Sequence, residues 1–309
     1  MNEITIGDWM QRYLDYSKTK HVKKTYDEKK AVFKRFYQYL NKKNYDQYSD
    51  ISKITIPLCF EYLQTQFTER SGYAANKDRK NLSASYSWIK KYIDYNIKDN
   101  PFEYIEKFPE IKTKKYVPPV KDFWKVYRTC NNQQDELMLL TYLYTAGRRN
   151  EIFQLTWNDI DFNQNTISLN TRKREQGNFE IDQIPLHDKL KTPLLQWKQD
   201  QPIKNDYVFI CISSNQIGKP HKQYGKPFKN RQHFMKGLCK KAGVKPFGFH
   251  AIRHLTATIL YHNGSKLYVI QHILRHKSAS TTEKYLHSLG LNKHLRDEFN
   301  NNMPEFFGD

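Results

Sequence analysis

Two short stretches decide the reading: His250-Ala-Ile-Arg253-His254, and Leu274-Arg275-His276-Lys277-Ser-Ala-Ser280-Thr281-Thr282-Glu-Lys-Tyr285-Leu286-His287. His250 and Arg253 are three residues apart, so on a helix they share a face. A forked guanidinium beside an imidazole suits a phosphodiester, although an amphipathic helix with a polar edge would show the same letters. The Ser/Thr run before Tyr285 can cap a helix that presents the phenol, while a helical tyrosine is far more often part of a core. Working outward, apolar spacing predicts helices over 250–262, 266–274 and 279–286, and before them over 188–200 and 229–242. Ile160 to Asn170 reads as a strand and Glu180 to Leu186 as its partner, with Arg174-Glu-Gln-Gly-Asn178 supplying turn chemistry between them. Helical pattern also covers 121–145 and 149–157. The fold class is therefore mostly α with a small antiparallel β-sheet.

The amino-terminal half, from residue 4 to about 108, reads as helical. Tyr26, Phe33, Phe36, Tyr37 and Leu40 share one apolar face of a helix over 25–41. Residues 18–43 hold ten Lys or Arg, among them Lys23, Lys24, Lys29, Lys30, Lys34 and Arg35, against two acids. A single charge run is usually a solvated face. Here a second basic, aromatic helix accompanies it over 81–95, with Tyr86, Ile89 and Ile93 expected inward and Lys90 and Lys91 outward. Pro101, Pro109, Pro118 and Pro119 then break the pattern around Lys112, Lys114 and Lys115. Either a basic linker along a DNA backbone or a surface loop fits. The expected division is a helical phosphate-clamping domain at 1–108, a linker at 109–119, a second domain at 120–290 and a tail at 291–309.

The 309 residues suffice for about two domains at ~150 residues each. The formal charge of +19 calls for a polyanion, with nucleic acid first and an anionic membrane surface second. No apolar run approaches the ~18 residues a membrane span needs. The opening residues, Met1 to Trp9, lack the apolar core of a signal peptide. Cys59, Cys130, Cys211 and Cys239 are scattered, which suggests reduced thiols and a cytoplasmic location, nucleoid-associated on DNA. His272 and His276 have the spacing of a helical zinc pair, but Ile273 stands where such sites place an acid. No metal and no cofactor is expected.

Two further clusters complete the set. Thr145-Ala-Gly-Arg148-Arg149-Asn-Glu151-Ile falls where one helical run ends and another starts. Small residues there let backbone approach a ligand and aim a guanidinium, but taken alone the stretch reads better as a helix C-terminus with Arg on its last carbonyls. Lys173 sits in the hairpin turn, where a lysine is usually just solvated, although a mobile ammonium can enter a groove and deliver a proton to a leaving oxygen. In order, these are Arg, Lys, His-x-x-Arg, His, and Tyr nine residues later. By that pattern the chain resembles the tyrosine recombinases of the phage-integrase family over nearly its whole length, most strongly from 140 to 290. The resemblance implies a DNA recombinase in which Arg148 and Arg253 hold the scissile phosphate and His276 hydrogen-bonds it. His250 would accept the Tyr285 proton, Lys173 would protonate the departing 5′ oxygen, and Tyr285 would form a 3′-phosphotyrosine link. The chemistry needs neither metal nor ATP, because fixed cations can stabilise the extra charge of a pentacoordinate phosphorus.

The boxes also depart from the family pattern. Arg149 directly follows Arg148 and either could serve. Arg172, Lys173 and Arg174 stand in a row, so Lys173 is preferred by residue type. Arg275 stands where the family usually has glycine, and would add a phosphate contact or point to solvent. His254 matches a position often filled by His or Lys and is given a supporting role. The DNA-binding candidates are thus Lys23, Lys24, Lys30, Lys34, Lys90, Lys91, Lys112, Lys114, Lys115, Arg172 and Arg275. An integrase of a mobile element is the first expectation. A chromosome-dimer resolvase, a type IB topoisomerase and an inactive DNA-binding regulator are the alternatives. Leu291, Leu295, Phe299, Met303, Phe306 and Phe307 in the tail would either close their own domain or dock on a neighbouring protomer. The resemblance further implies a homotetramer on paired sites, a monomer or dimer without DNA, a possible directionality factor, and an amino-terminal half clamping the duplex opposite the catalytic half. No arm-binding segment is expected before residue 4.

Overall fold

A computed structural model describes residues 4–93, 97, 99–111, 115–172, 179–212 and 223–291, with backbone alone at 171, 172, 179 and 180. The chain forms two compact units, Met1–Thr113 and Lys114–Asp309.

The first unit is built from α1 (Ile6–Lys20), α2 (Lys23–Lys42), α3 (Ile56–Glu69) and α4 (Gly72–Tyr92). Thr5 and Asp8 close a reciprocal capping box on α1. Aromatic rings meet edge-on in the core, Trp9 to Phe33 at 5.5 Å and Phe36 to Tyr62 at 4.8 Å between centroids, the arrangement their quadrupoles favour. Asp78, 0% exposed, takes a two-pronged pair from Arg35 at 3.1 and 2.7 Å and the Tyr62 hydroxyl at 2.9 Å. Arg35 is therefore tied into the unit rather than offered to a ligand. Lys29 likewise turns inward, donating to the Tyr13 hydroxyl at 2.8 Å. Lys23, Lys24, Lys30, Lys34 and Lys91 are exposed and Lys90 is half-buried. Tyr86 and Ile89 are buried as expected, but Ile93 lies past the end of α4 and is 38% exposed.

The second unit contains α5 (Val120–Tyr127), α6 (Gln133–Thr145), α7 (Arg149–Phe153), β1 (Ile160–Asp161), β2 (Thr166–Arg172), β3 (Phe179–Pro185), α8 (Asp188–Asp200), α9 (Phe234–Lys241), α10 (Phe249–His262), α11 (Leu267–Leu274) and α12 (Ala279–Ser288). The sheet is antiparallel in the order β1-β2-β3, with Ile167 opposite Ile184. The helix expected over 121–145 is two helices, because the Asn132 side chain accepts the Asp135 amide at 2.9 Å and starts α6 afresh. The strand expected over 160–170 is split. Asp161 accepts the amides of Asn163 and Gln164 at 2.9 and 2.8 Å and folds the chain back as an Asx turn. The helix expected over 229–242 begins only at Phe234, and α7 ends at Phe153 rather than 157.

Helix α6 is buried nearly all round, with Leu137, Met138, Leu139 and Tyr142 at the centre of the main core, and Tyr142 stacks on Phe249 of α10 at 4.5 Å. Tyr116 and Val117 pack against this core. A smaller cluster of Ala146, Ala257, Tyr261, Ile270, Leu274 and Leu286 joins the end of α6 to α10, α11 and α12. That second cluster brings the distant motifs together. Among the described residues no helix is long and apolar enough to cross a membrane.

Candidate active site

The site is assembled where α6 ends. Ala146 takes a left-handed backbone, φ +49°, and turns its carbonyl to Arg253 Nη1 at 2.6 Å. A Cβ on Gly147 would lie 2.4 Å from Ile152 Cδ1 and 2.6 Å from its Cγ1, so any larger residue forces the buried Ile152 side chain to shift. Arg148 follows. Its amide donates to Glu151 Oε2 and its Nη1 to Glu151 Oε1, both at 2.7 Å, while the guanidinium-bearing side chain stays 40% exposed. Arg149 is exposed and its carbonyl accepts the Tyr142 hydroxyl. Burial alone would raise the Glu151 carboxyl, but Arg275, the Arg148 amide and the Arg148 guanidinium hold it below the usual carboxylate range.

Arg253 on α10 is 2% exposed. Its Nη2 donates to the Leu274 carbonyl and lies 3.4 Å from His276 Nε2. Burial, with Arg148 and Arg275 nearby, brings its pKa down to about 9, so it remains charged at neutral pH. His276 is past the end of α11, its Nδ1 3.1 Å from the hydroxyl of buried Thr282. Burial and the arginines Arg253, Arg148 and Arg275 lower it to about 4. Because α11 stops at Leu274, His272 and His276 do not share a helical face, and the zinc-like spacing has no geometric counterpart.

Tyr285 on α12 points its hydroxyl at His254 Nδ1, 2.5 Å away. His276 flanks the phenol with ring centroids 5.3 Å apart, and Lys115 Nζ stands 5.2 Å from the ring centroid. Burial pushes the phenol up to about 12, against the pull of Arg253 and Arg148. His254, 4% exposed, is lowered to about 3 by burial, with His250, Lys115 and Arg253 adding to the effect. It is therefore neutral at physiological pH and can accept the phenol's hydrogen bond. His250 is exposed and reaches the phenol only through His254, their ring centroids 4.5 Å apart. The contact expected of His250 is thus made by His254. One helical turn separates the two, and the way α12 lies against α10 selects the second.

The structure therefore brings Arg148, Arg253, His276 and Tyr285 together, with His250 one ring removed. Lys173, Lys112 and Lys114 lie outside the described residues, as does the side chain of Arg172. Arg275 corrects the sequence reading: its side chain is 1% exposed, bound to Glu151 and two carbonyls, and available neither to solvent nor to a DNA phosphate. Lys115, expected along a DNA backbone, stands over the tyrosine ring. A cleft beside the site, lined by Ile181, Asp182, Tyr268 and His272 among others, opens onto Arg148 and His276.

This fold, with a tyrosine set among two arginines and two histidines, defines the class of tyrosine recombinases. The phage integrase family model matches residues 119–290, more than half of the chain, and the chain belongs to that family. Among similar proteins is the tyrosine recombinase XerC of Bacillus subtilis (strain 168), 25% identical over 316 aligned residues that cover 90% of this chain and 98% of that protein. Transposase A from transposon Tn554 of Staphylococcus aureus is 25% identical over 194 residues, covering 58% of this chain and 50% of the relative. Among solved structures, a lambda integrase tetramer bound to a Holliday junction superposes with a TM-score of 0.68 at 18% identity, covering 92% of this chain and 78% of that one.

Proposed function

We propose that the chain is the integrase of a mobile genetic element, cutting and rejoining double-stranded DNA through Tyr285. The observation that carries this reading is the Tyr285 hydroxyl, hydrogen-bonded to a neutral imidazole at 2.5 Å beside Arg253 and His276. In the proposed step the Tyr285 oxygen attacks phosphorus and the bond from phosphorus to the 5′ oxygen breaks. The phenol proton passes to His254 Nδ1, and the departing 5′ oxygen takes a proton from Lys173. Arg148 and Arg253 would grip the non-bridging oxygens and His276 would hydrogen-bond one of them. Burial is the main cause that depresses His254 and His276 and neighbouring cations add to it, so an incoming phosphodiester that offsets those cations makes both better proton acceptors. Religation reverses the step without ATP, since the phosphotyrosine keeps the energy of the broken bond.

Assembly as a tetramer on paired sites, with the 291–309 tail docked on a neighbour, belongs to the same proposal, as do a directionality factor and work in the cytoplasm at the nucleoid. The +19 charge and the tetrameric state of the lambda integrase neighbour support it. A chromosome-dimer resolvase is the second reading, favoured by the XerC likeness along nearly the whole relative.

The test is a denaturing gel after incubation with nicked duplexes from the DNA flanking the gene. A slow protein–DNA band present in wild type and lost in Tyr285→Phe is expected. Retention of that band in the Phe variant would sink the tyrosine assignment, and a band only on chromosomal fragments remote from the gene would favour the resolvase.

A further inference from the structure

Arg275 stands at φ +53°, a left-handed backbone that burdens every residue with a Cβ. Its side chain is nevertheless almost sealed, 1% exposed. Nη1 donates to the carbonyls of Thr145 and Ile273, both at 3.1 Å, and Nη2 to Glu151 Oε2 at 2.6 Å. The same carboxylate, 4% exposed, receives Arg148 Nη1 on its other oxygen at 2.7 Å. One buried carboxylate thus lies between two guanidiniums, one sealed in the unit and the other 40% exposed at the site.

A phosphodiester arriving at Arg148 must compete with Glu151. If Arg148 alone balanced that carboxylate, the pair would be neutral and the anion would have to break it. With Arg275 behind Glu151, two guanidiniums and one carboxylate leave a net positive charge. The exposed arginine can then meet an incoming anion while the carboxylate stays compensated.

We infer that Arg275 is a positioning residue for the strand-cleavage step: by holding Glu151 it keeps Arg148 aimed and net cationic, without itself touching DNA. The inference rests on the proposal that Arg148 contacts the scissile phosphate. It assigns a role to the residue that the sequence pattern placed on DNA or in solvent.

The test uses the full chain and the nicked duplex on which wild type forms its covalent band. Arg275→Gly suits the positive φ, and Arg275→Gln keeps an N–H donor without charge. Each is made alone and together with Glu151→Gln, which removes the opposing charge but keeps an acceptor for Arg148. Single-turnover cleavage by either Arg275 variant should fall about 10- to 100-fold. Affinity for the duplex should change less than about threefold, because most binding comes from other phosphates. Adding Glu151→Gln should restore most of the lost rate.

Three results overturn the inference: unchanged cleavage in both Arg275 variants, a loss that Glu151→Gln does not recover while thermal stability falls in parallel, or failure of every Arg275 variant to fold. If Arg148→Ala cleaves like wild type, the reading of Arg148 fails and this inference falls with it. If Arg148→Ala is inactive while Arg275→Gly is not, only the inference fails.

Discussion

His254 receives the Tyr285 hydroxyl although His250 has the better claim by motif. Both lie on α10 one turn apart, and their separation along the helix does not distinguish them. What decides is the distance from α12, a tertiary quantity. His254→Ala should therefore lower single-turnover cleavage by about 10²–10⁴-fold, the range for a positioned acid–base group, and by more than His250→Ala does. The reverse order in the same assay would return the role to His250. A pH titration of stability adds an independent check. His254 and His276 are held near 3 and 4 in the folded protein against 6.5 when unperturbed. The unfolded chain then binds more protons between those values, so stability is at its plateau above pH ~6.5 and falls as pH drops toward ~4. Each histidine should contribute up to about 1.4 kcal/mol per pH unit in that window. Chemical denaturation from pH 7.5 to 4.5 should show the decline, and His254→Phe should flatten it. A slope unaffected by that substitution would remove His254 from the account.

At the level of elements, the site depends on how α6 gives way to α7. Ala146 in left-handed backbone and Gly147 against Ile152 let the chain turn within two residues, so that Arg148 emerges beside Arg253. Gly147→Ala should destabilise by about 1–3 kcal/mol, the usual cost of overpacking a filled core. It should slow cleavage more than it weakens DNA binding, and Ile152→Val in the same chain should recover part of both. Equal losses in binding and cleavage would count against a local displacement of Arg148. Much of this scale was legible in the sequence. The small residues before Arg148, the three-residue step from His250 to Arg253, and helices at 188–200 and 250–262 followed from local periodicity and residue size. The break before Asn132 and the Asx turn at Asp161 were missed, although their capping residues stand in plain view, because apolar spacing continued across them. The inward turn of Arg275 was not legible, since it depends on Glu151, more than a hundred residues earlier in the chain. Lys115 over the phenol ring has the same origin in tertiary packing.

For the molecule as a whole, the proposed function sets a +19 chain two separable tasks, to hold a duplex and to let Tyr285 react. Affinity comes from many exposed cations whose contacts with phosphates release counterions, and each contact contributes about 0.9 to the slope of log K against log salt concentration. Cleavage comes from a few sheltered groups whose charges salt screens poorly. Lys23, Lys24, Lys30 and Lys34 are exposed on α2, in a different unit from Tyr285. Converting these four lysines to Gln should lower the salt slope by up to about 3–4 if each meets a phosphate. It should weaken binding at 150 mM salt by a larger factor than at 50 mM. At saturating protein and low salt the same variant should cleave a nicked site at nearly the wild-type rate, because nothing around Tyr285 has changed. An unchanged salt slope would show that α2 is only a solvated face and that the duplex is held elsewhere. A slope that falls together with the saturated cleavage rate would mean that the first unit also helps place the scissile phosphate, and that the two tasks are coupled through the DNA.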